Sequence, residues 1–329
     1  MADAARAAAA RDHRIGFALS LAPALLWGLL PVAVAGLGRT IDGVTLTWYR
    51  FCFALAVQTL LLALTARLPG LFAHRGRDLA LIMTTAVGLV INFAAFASSL
   101  RYLPASTAQT FGQAQPVLLI IGAAVLFHER LTRPQIAGSL VLVLGLAIFF
   151  ADKVVVHGVA AADLAKGFAL VTLATLVWVT AALAQKALRP AVPSTHTLWY
   201  VYAVGAIGLI PLVTPSQLLG LHDVTMALFI FCCFNTLIAY GAFGLAVRRW
   251  AAARVSAVVA LAPLVTYLAE HLATRQAPGA LLATAWSPLK VLGAFLVVVG
   301  AMVTALGRSA PRADRRESRP RSGTRPASS

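Results

Sequence analysis

The chain is built from long apolar stretches separated by short polar segments. A transmembrane helix needs about 20 mostly apolar residues, and several stretches approach or exceed that length without a single Asp, Glu, Lys or Arg. Ten candidate spans lie at residues 15–38, 43–66, 79–100, 102–128, 134–151, 167–185, 195–214, 224–247, 251–272 and 289–307. The pattern therefore predicts an all-α polytopic membrane protein with ten transmembrane helices.

The ten predicted helices divide into two halves of five with related spacing. Five pairs of like residues recur at an offset of 151 or 147: Trp27 with Trp178, Trp48 with Trp199, Phe96 with Phe243, Arg101 with Arg248, and Pro116 with Pro263. Because an odd number of helices reverses the direction of the chain, the second half is predicted to be inverted. Inverted repeats in transporters enclose a site near the membrane midplane and open it to either face in turn.

Composition and charge indicate where these helices lie. The chain is 60% hydrophobic and 12% charged, with a net charge of +16. If the N-terminus is cytoplasmic, 20 Lys and Arg fall on the cytoplasmic side and 6 on the outer side, with Arg50 in the membrane completing the 27. This follows the positive-inside rule, so we predict an inner (cytoplasmic) membrane protein with both termini in the cytoplasm. Its predicted partners are the bilayer and a small-molecule substrate, not nucleic acid, and the sequence leaves a homodimer open.

Short motifs stand where the predicted helices begin, bend or end. They are Leu26-Trp27-Gly28, Arg50 in the second helix, Leu100-Arg101-Tyr102-Leu103-Pro104-Ala105, Gln115-Pro116, His128-Glu129-Arg130-Leu131-Thr132, and Gly138 with Gly145. In these motifs the chain resembles the EamA domain of the drug/metabolite transporter superfamily over residues 17–307. The resemblance implies ten helices in two EamA repeats, at 16–151 and 167–307, and export of amino acids, related metabolites or drugs.

Three further segments complete the predicted domain plan. They are a cytoplasmic N-terminal tail at 1–15, an extracytoplasmic linker at 152–166, and a basic cytoplasmic tail at 308–329. The last is rich in Arg, Ser and Pro and has no apolar pattern, so we expect it to be disordered.

Arg50 is the clearest candidate for binding substrate. It lies about seven residues inside the second predicted helix, where a charged side chain is costly and is a functional candidate by default. A guanidinium there could attract a carboxylate or phosphate group of a substrate. It could equally extend to the outer interface, or pair with a helix-end carbonyl, and serve packing alone.

Polar residues line one face of the fourth predicted helix. Ser106, Gln109, Gln113 and Pro116 are spaced three, four and three apart, which places them on the same helical face. Gln109 and Gln113 are candidates for lining a solute cavity, although amides in membrane helices also join helices. Pro116 and its counterpart Pro263 are hinge candidates, because proline interrupts helical hydrogen bonding; a simple packing kink is the alternative.

Aromatic and amide side chains supply further candidates for the substrate cavity. The deeper ones are Trp27, Trp178, Tyr240, Asn92 and Asn235. The asparagines could instead form interhelical hydrogen bonds. Four other aromatic residues lie near helix ends, where the interfacial aromatic belt explains them at least as well; they are Trp48, Tyr49, Trp199 and Tyr200.

Glu270 is the candidate for proton coupling. The resemblance implies an acid in the second repeat at about the position of Gln276, whereas this chain has Glu270, seven residues after Pro263. A carboxyl group within a span is a functional candidate, and the sequence leaves open whether it titrates or only packs.

No catalytic, cofactor or metal-binding pattern is found in the sequence. The chain has 11 acidic residues in all, and its three cysteines lie in apolar helix interiors. We therefore predict a secondary transporter, an exporter working by alternating access, with no catalytic residue, cofactor or metal. The alternatives are a membrane-embedded lipid-modifying enzyme and a channel or non-transporting scaffold.

Overall fold

The computed structural model describes the backbone of residues 2–151, 159–282 and 287–307, and the side chains from Arg14 onward apart from Pro69. Within these ranges the chain forms α-helices and short 3-10 turns and no strand. The α-helices are α1 (Ala2–Leu37), α2 (Gly43–Leu64), α3 (Gly76–Ser99), α4 (Ala105–Gly112), α5 (Ala114–Phe127), α6 (Arg133–Ala151), α7 (Ala161–Lys186), α8 (Ser194–Gly208), α9 (Asp223–Arg249), α10 (Ala252–Val259), α11 (Ala262–Gln276) and α12 (Pro288–Leu306). Residues 152–158 of the predicted linker and the whole predicted tail at 308–329 lie outside the described residues.

Nine segments of the described chain are long and apolar enough to cross a membrane, with α4–α5 and α10–α11 each counted as one segment. The prediction of an all-helical membrane protein is confirmed, but the number ten is not. The predicted span at 195–214 contains α8, which has only 15 residues. A 3-10 turn at Ile210–Leu212 follows α8, because Pro211 has no N–H with which to continue an α-helix.

The predicted fourth and ninth helices are both interrupted just before their prolines. Gln113 separates α4 from α5, and Ala260 and Leu261 separate α10 from α11. Pro116 and Pro263 stand in the first turn of the helix that follows each break. A first-turn N–H has no intrahelical partner, so proline is tolerated there. The helix direction can change at these breaks, and the hinge role of the two prolines stays a prediction.

The helices pack in pairs that join the predicted halves. α1 packs along α9, α3 along α7, α2 against α8, and α6 against α12. By order in the two halves, α1 corresponds to α7 and α3 corresponds to α9. If each helix is replaced by its counterpart, the pair α1–α9 becomes the pair α7–α3. The pairs α2–α8 and α6–α12 each consist of two counterparts and are therefore unchanged. Contact between the halves therefore follows one repeated scheme.

Glycines allow α6 and α12 to lie in close contact. A methyl group built on Gly138 would lie 2.4 Å from the backbone N of Thr304, and one on Gly300 would lie 2.3 Å from the backbone N of Leu142. Gly145 and Gly293 face the opposite backbone at 2.5 and 2.6 Å in the same way. Small residues are what membrane helices use to bring their backbones together.

The helix ends gather at two opposite ends of the bundle. We call them the Lys186 end, where α2, α5, α7, α9 and α12 finish, and the Asp42 end, where α1, α3, α6, α8 and α11 finish. At the Lys186 end, Lys186 Nζ lies 2.6 Å from Glu129 Oε2. There also, Arg189 donates to the buried carboxylate of Asp78, and this hydrogen bond, with the negative charge, raises the pKa of Arg189.

Candidate substrate site

Arg50 is buried inside the bundle, with 3% of its surface exposed. Its Nε donates to Thr236 Oγ1 at 3.0 Å, and its guanidinium carbon lies 5.3 Å from the centre of the Phe93 ring. No carboxylate in the described part of the chain forms an ion pair with it. Such burial argues against a side chain that extends to the interface. Arg50 is therefore a buried positive charge in contact with a hydroxyl group and an aromatic ring.

A row of aromatic rings leads from Arg50 to α1. Phe93 stacks on Tyr240 with 6.4 Å between ring centroids, and Tyr240 meets Trp27 edge to face at 5.2 Å. Phe243 contacts the same indole at 5.6 Å. The structure thus brings together three residues, Arg50, Trp27 and Tyr240, that the sequence singled out separately.

Two members of this cluster, Phe93 and Thr236, are not among the residues predicted from the sequence. Phe93 precedes Tyr240 by 147 residues, an offset of the internal repeat, so the repeat could have drawn attention to it. Thr236 gave no signal, because a threonine in an apolar helix commonly bonds its own backbone. Its hydroxyl does so here, donating to the carbonyl of Cys232 at 3.1 Å.

The two asparagines connect helices from opposite halves. Asn92 Nδ2 donates to the carbonyl of Ala174 at 2.9 Å, and Asn235 Nδ2 donates to the carbonyl of Leu26 at 2.6 Å. Both amides therefore form the interhelical hydrogen bonds that the sequence left as one of two options. Asn235 Oδ1 is buried without a hydrogen-bond partner among the described residues, so it has a free acceptor next to Thr236.

Gln109, Gln113 and Trp178 are not joined to the Arg50 cluster by any hydrogen bond or ring contact between described residues. All three are partly exposed. Gln113 follows the last residue of α4 instead of extending its polar face. Their place in a cavity wall stays a prediction.

The aromatic residues near helix ends bond one half to the other. At the Asp42 end, the Tyr49 hydroxyl donates to the carbonyl of Pro215 at 3.0 Å. At the Lys186 end, the Tyr200 hydroxyl donates to the carbonyl of Leu71 at 3.0 Å. Their neighbours act similarly, each indole N–H donating at 2.8 Å: Trp48 to the carbonyl of Ala206 and Trp199 to Thr59 Oγ1. These four side chains hold the halves together as well as lying near the ends of the bundle.

Glu270 is buried on α11 with 3% of its surface exposed. Its Oε2 accepts from the backbone N–H of Ser106 at 2.7 Å, and its Oε1 accepts from the Ser106 hydroxyl at 2.8 Å. Ser106 lies in the first turn of α4. The candidate for proton coupling thus bonds directly to the polar face identified on the fourth predicted helix. The sequence indicated each of these two residues separately but not their pairing.

No group of three or more His, Cys, Asp or Glu side chains in the described chain is placed to hold a metal ion. Two histidines do meet at the Lys186 end, where His74 Nε2 and His196 Nδ1 are 3.0 Å apart. This contact links the segment before α3 to α8, and it adds to the bonds between the halves at that end.

Comparison with known proteins agrees with this architecture. Residues 14–151 and 165–306 each match the EamA-like transporter family. An uncharacterised inner membrane transporter of Escherichia coli is 36% identical over 294 residues, which cover 89% of this chain and 92% of that protein. A probable amino-acid metabolite efflux pump of Salmonella typhimurium is 26% identical over 247 residues, covering 68% and 81%. One solved crystal structure, 21% identical, matches with a TM-score of 0.56 over 89% of this chain and 97% of its own, which supports the fold.

Proposed function

Because the chain belongs to the EamA-like transporter family, we propose that it exports a small anionic or zwitterionic metabolite, such as an amino acid, by alternating access. It is a multi-pass inner membrane transporter, as its relative in Escherichia coli is named. Membership of this family disfavours the lipid-modifying enzyme and the channel considered above. The amino-acid class is suggested by the name of the Salmonella typhimurium relative.

The observation that carries the proposal is the burial of Arg50 without an acidic partner among the described residues. Removing one partner from a buried ion pair is strongly destabilising, so a buried cation without a protein carboxylate is well placed to receive one from a ligand. A substrate carboxylate would bond the guanidinium beside Thr236. Its apolar portion would contact the rings of Phe93, Tyr240 and Trp27.

Alternating access further requires two halves of opposite orientation, with α8 as the tenth span. The twofold match to the family and the exchange of helix pairs support this arrangement. So do Tyr49 and Tyr200, which are 151 residues apart in the sequence and bond to the other half at opposite ends of the bundle. The excess of Lys and Arg near the Lys186 end supports a cytoplasmic location for that end and for both termini. A homodimer stays a prediction.

Metabolite profiling of the growth medium tests the proposal. Cells that lack the gene would be supplied with the wild-type protein, with Arg50→Gln, or with Arg101→Gln as a matched control. Arg101 is an exposed arginine beyond the end of α3. We expect at least one amino acid or organic acid to accumulate in the medium with wild type and Arg101→Gln. Arg50→Gln should reduce this accumulation at least about tenfold, because it removes the charge partner of a buried ionic contact.

Two further results decide the interpretation of the profile. Equal amounts of each variant in the membrane fraction would exclude loss of protein as the cause. Thr236→Val, which keeps the charge but removes its hydroxyl partner, should reduce accumulation by a smaller factor. A profile that the wild-type protein leaves unchanged across many growth conditions would contradict export of a common metabolite.

A further inference from the structure

The contact between Glu270 and Ser106 joins the two halves at a buried point near the Asp42 end. Glu270 belongs to α11 in the second half and Ser106 to the first turn of α4 in the first half. Both side chains are buried, at 3% and 0% exposure. One carboxylate accepts both the backbone N–H and the hydroxyl of the same serine. A neighbouring residue of α11, Thr266, also donates to the carbonyl of Gly28 on α1 at 2.6 Å, so α11 is bonded to two helices of the other half.

The strength of the Glu270 contact depends on the charge of the carboxylate. Hydrogen bonds to an ionised acceptor are about twice as strong as neutral ones, and the N-terminal turn of a helix attracts negative charge. A proton on Glu270 would convert both bonds to neutral ones and remove the attraction to the first turn of α4. It would not affect Thr266. The contact between α4 and α11 is therefore sensitive to the protonation of Glu270.

Several titratable groups lie on the elements around this carboxylate. The helices packed against α11 are α1, α4 and α12. α4 has no titratable side chain, α1 has none from Ile15 to Leu37, and α12 has Lys290 alone. Lys290 is 2% exposed and lies in the first turn of α12. Tyr267, His271 and Arg275 lie on α11 itself, and Arg101 and Tyr102 precede α4.

The two halves differ at this position. The residue seven after Pro116, which corresponds to Glu270, is Ala123. At the Lys186 end the halves are instead joined by the ion pairs Asp78–Arg189 and Glu129–Lys186. The buried acid at this position of α11 thus has no counterpart in the first half.

We infer that Glu270 and Ser106 form a proton-sensitive latch that closes the Asp42 end of the transport pathway. The ionised carboxylate holds α4 against α11, and protonation allows the two helices to separate and that end to open. The inference rests on the proposed alternating access. The latch adds to alternating access a specific group, Glu270, through which a proton gradient would control the opening of the Asp42 end.

Chemical labelling of a buried position beside the latch provides the test. Thr107 follows Ser106 and is fully buried, and its hydroxyl has no hydrogen-bond partner among the described residues. Thr107→Cys would be made in a protein whose native cysteines, Cys52, Cys232 and Cys233, are replaced by alanine. The purified full-length protein in detergent would react with a methanethiosulfonate carrying a trimethylammonium group. Each rate would be divided by the rate for the same protein unfolded in SDS at the same pH, which removes the pH dependence of the thiol.

The normalised rate should rise about tenfold as the pH falls through the titration of Glu270, because both charge-assisted bonds become neutral. Glu270→Gln, which imitates the protonated acid, should label rapidly at every pH. Asp42→Asn is the matched control, since Asp42 is a carboxylate at the same end that caps α2 within its own half; it should keep the pH profile of the parent. A Glu270→Gln profile identical to that of the parent, or a parent profile flat in pH, would overturn the latch.

A second variant covers the case in which Glu270→Gln does not elute as a single species on size exclusion. Ser106→Ala keeps the carboxylate and the backbone bond, and should raise the normalised rate at about pH 8 by roughly threefold through loss of one hydrogen bond. An unchanged rate would count against the latch. Because labelling needs neither substrate nor a known membrane orientation, a failed latch leaves the export proposal intact. Conversely, if the labelling supports the latch but the metabolite profile is unchanged, only the export proposal is contradicted.

Discussion

At the scale of single residues, Asn92 is a polar residue whose side chain serves helix packing. The Asn92 amide bonds α3 to α7, and the residue 147 positions later is Ala239. That alanine is fully buried, so the repeated architecture accommodates a methyl group at the equivalent place. We therefore expect Asn92 to contribute to stability and not to substrate binding.

Replacing Asn92 with alanine tests this assignment. Asn92→Ala should lower the free energy of unfolding by about 0.5–1.5 kcal/mol, the net value of one interhelical hydrogen bond, and should leave export unchanged. Denaturant unfolding of the purified protein and the metabolite profile would measure the two effects. Loss of export at unaltered stability would place Asn92 in the substrate site instead.

Residue type decided which members of the candidate site could be predicted from the sequence. Arg50 could be identified because a charge within a span is costly whatever its surroundings. Thr236 could not, since its role depends on a guanidinium 186 residues away in the sequence. The same holds for the partnership of Ser106 with Glu270, which are 164 residues apart. Contacts of this kind depend on helix packing, which no local pattern specifies.

At the scale of helices, the contact between α6 and α12 depends on the absence of side chains. Gly300 faces the backbone of Leu142 and the carbonyl of Gly138, and backbone atoms cannot rotate away as a flexible side chain can. Gly241 on α9 is different, because a methyl group built there has no heavy atom within 4 Å. Gly300 and Gly241 are therefore both helical, but the first is tightly packed against another helix and the second has open space beside it.

Alanine substitutions at these glycines should have opposite effects on stability. Gly300→Ala should destabilise the protein by about 1–3 kcal/mol, the usual cost of overpacking. Gly241→Ala should stabilise it by about 0.5–1 kcal/mol, because alanine loses less backbone entropy in a helix. Denaturant unfolding in detergent would compare them. If both variants shifted stability in the same direction, the close approach of α6 and α12 would not be the deciding factor.

Apolar length predicted where helices occur but not where they end or break. The apolar stretch at 195–214 continues past Gly208, yet α8 stops there and a 3-10 turn containing Pro211 follows. Pro116 and Pro263 gave the approximate positions of the breaks. Each break precedes its proline by a few residues, because the first turn of a new helix does not use the proline N–H. Local backbone chemistry, not hydrophobicity, sets these boundaries.

At the scale of the whole molecule, the proposed inversion depends on whether α8 crosses the membrane. With α8 as a span, each half has five spans, the halves are inverted, and both termini lie on one side. Without it, the described chain has nine spans, and the two ends of the chain fall on opposite sides. The contacts favour the first arrangement, because His196 near the start of α8 contacts His74 at the Lys186 end. Trp48 meets Ala206, near the other end of α8, at the Asp42 end.

Reporter fusions on either side of α8 distinguish the two arrangements. One junction would follow Val192, between α7 and α8, and the other would follow Leu221, just before α9. Green fluorescent protein should fluoresce when fused after Val192, since the positive-inside rule places that segment in the cytoplasm. Alkaline phosphatase, which is active only outside the inner membrane, should be active when fused after Leu221. The same reporter responding at both junctions would show that α8 does not cross, and inverted halves with alternating access would then be untenable.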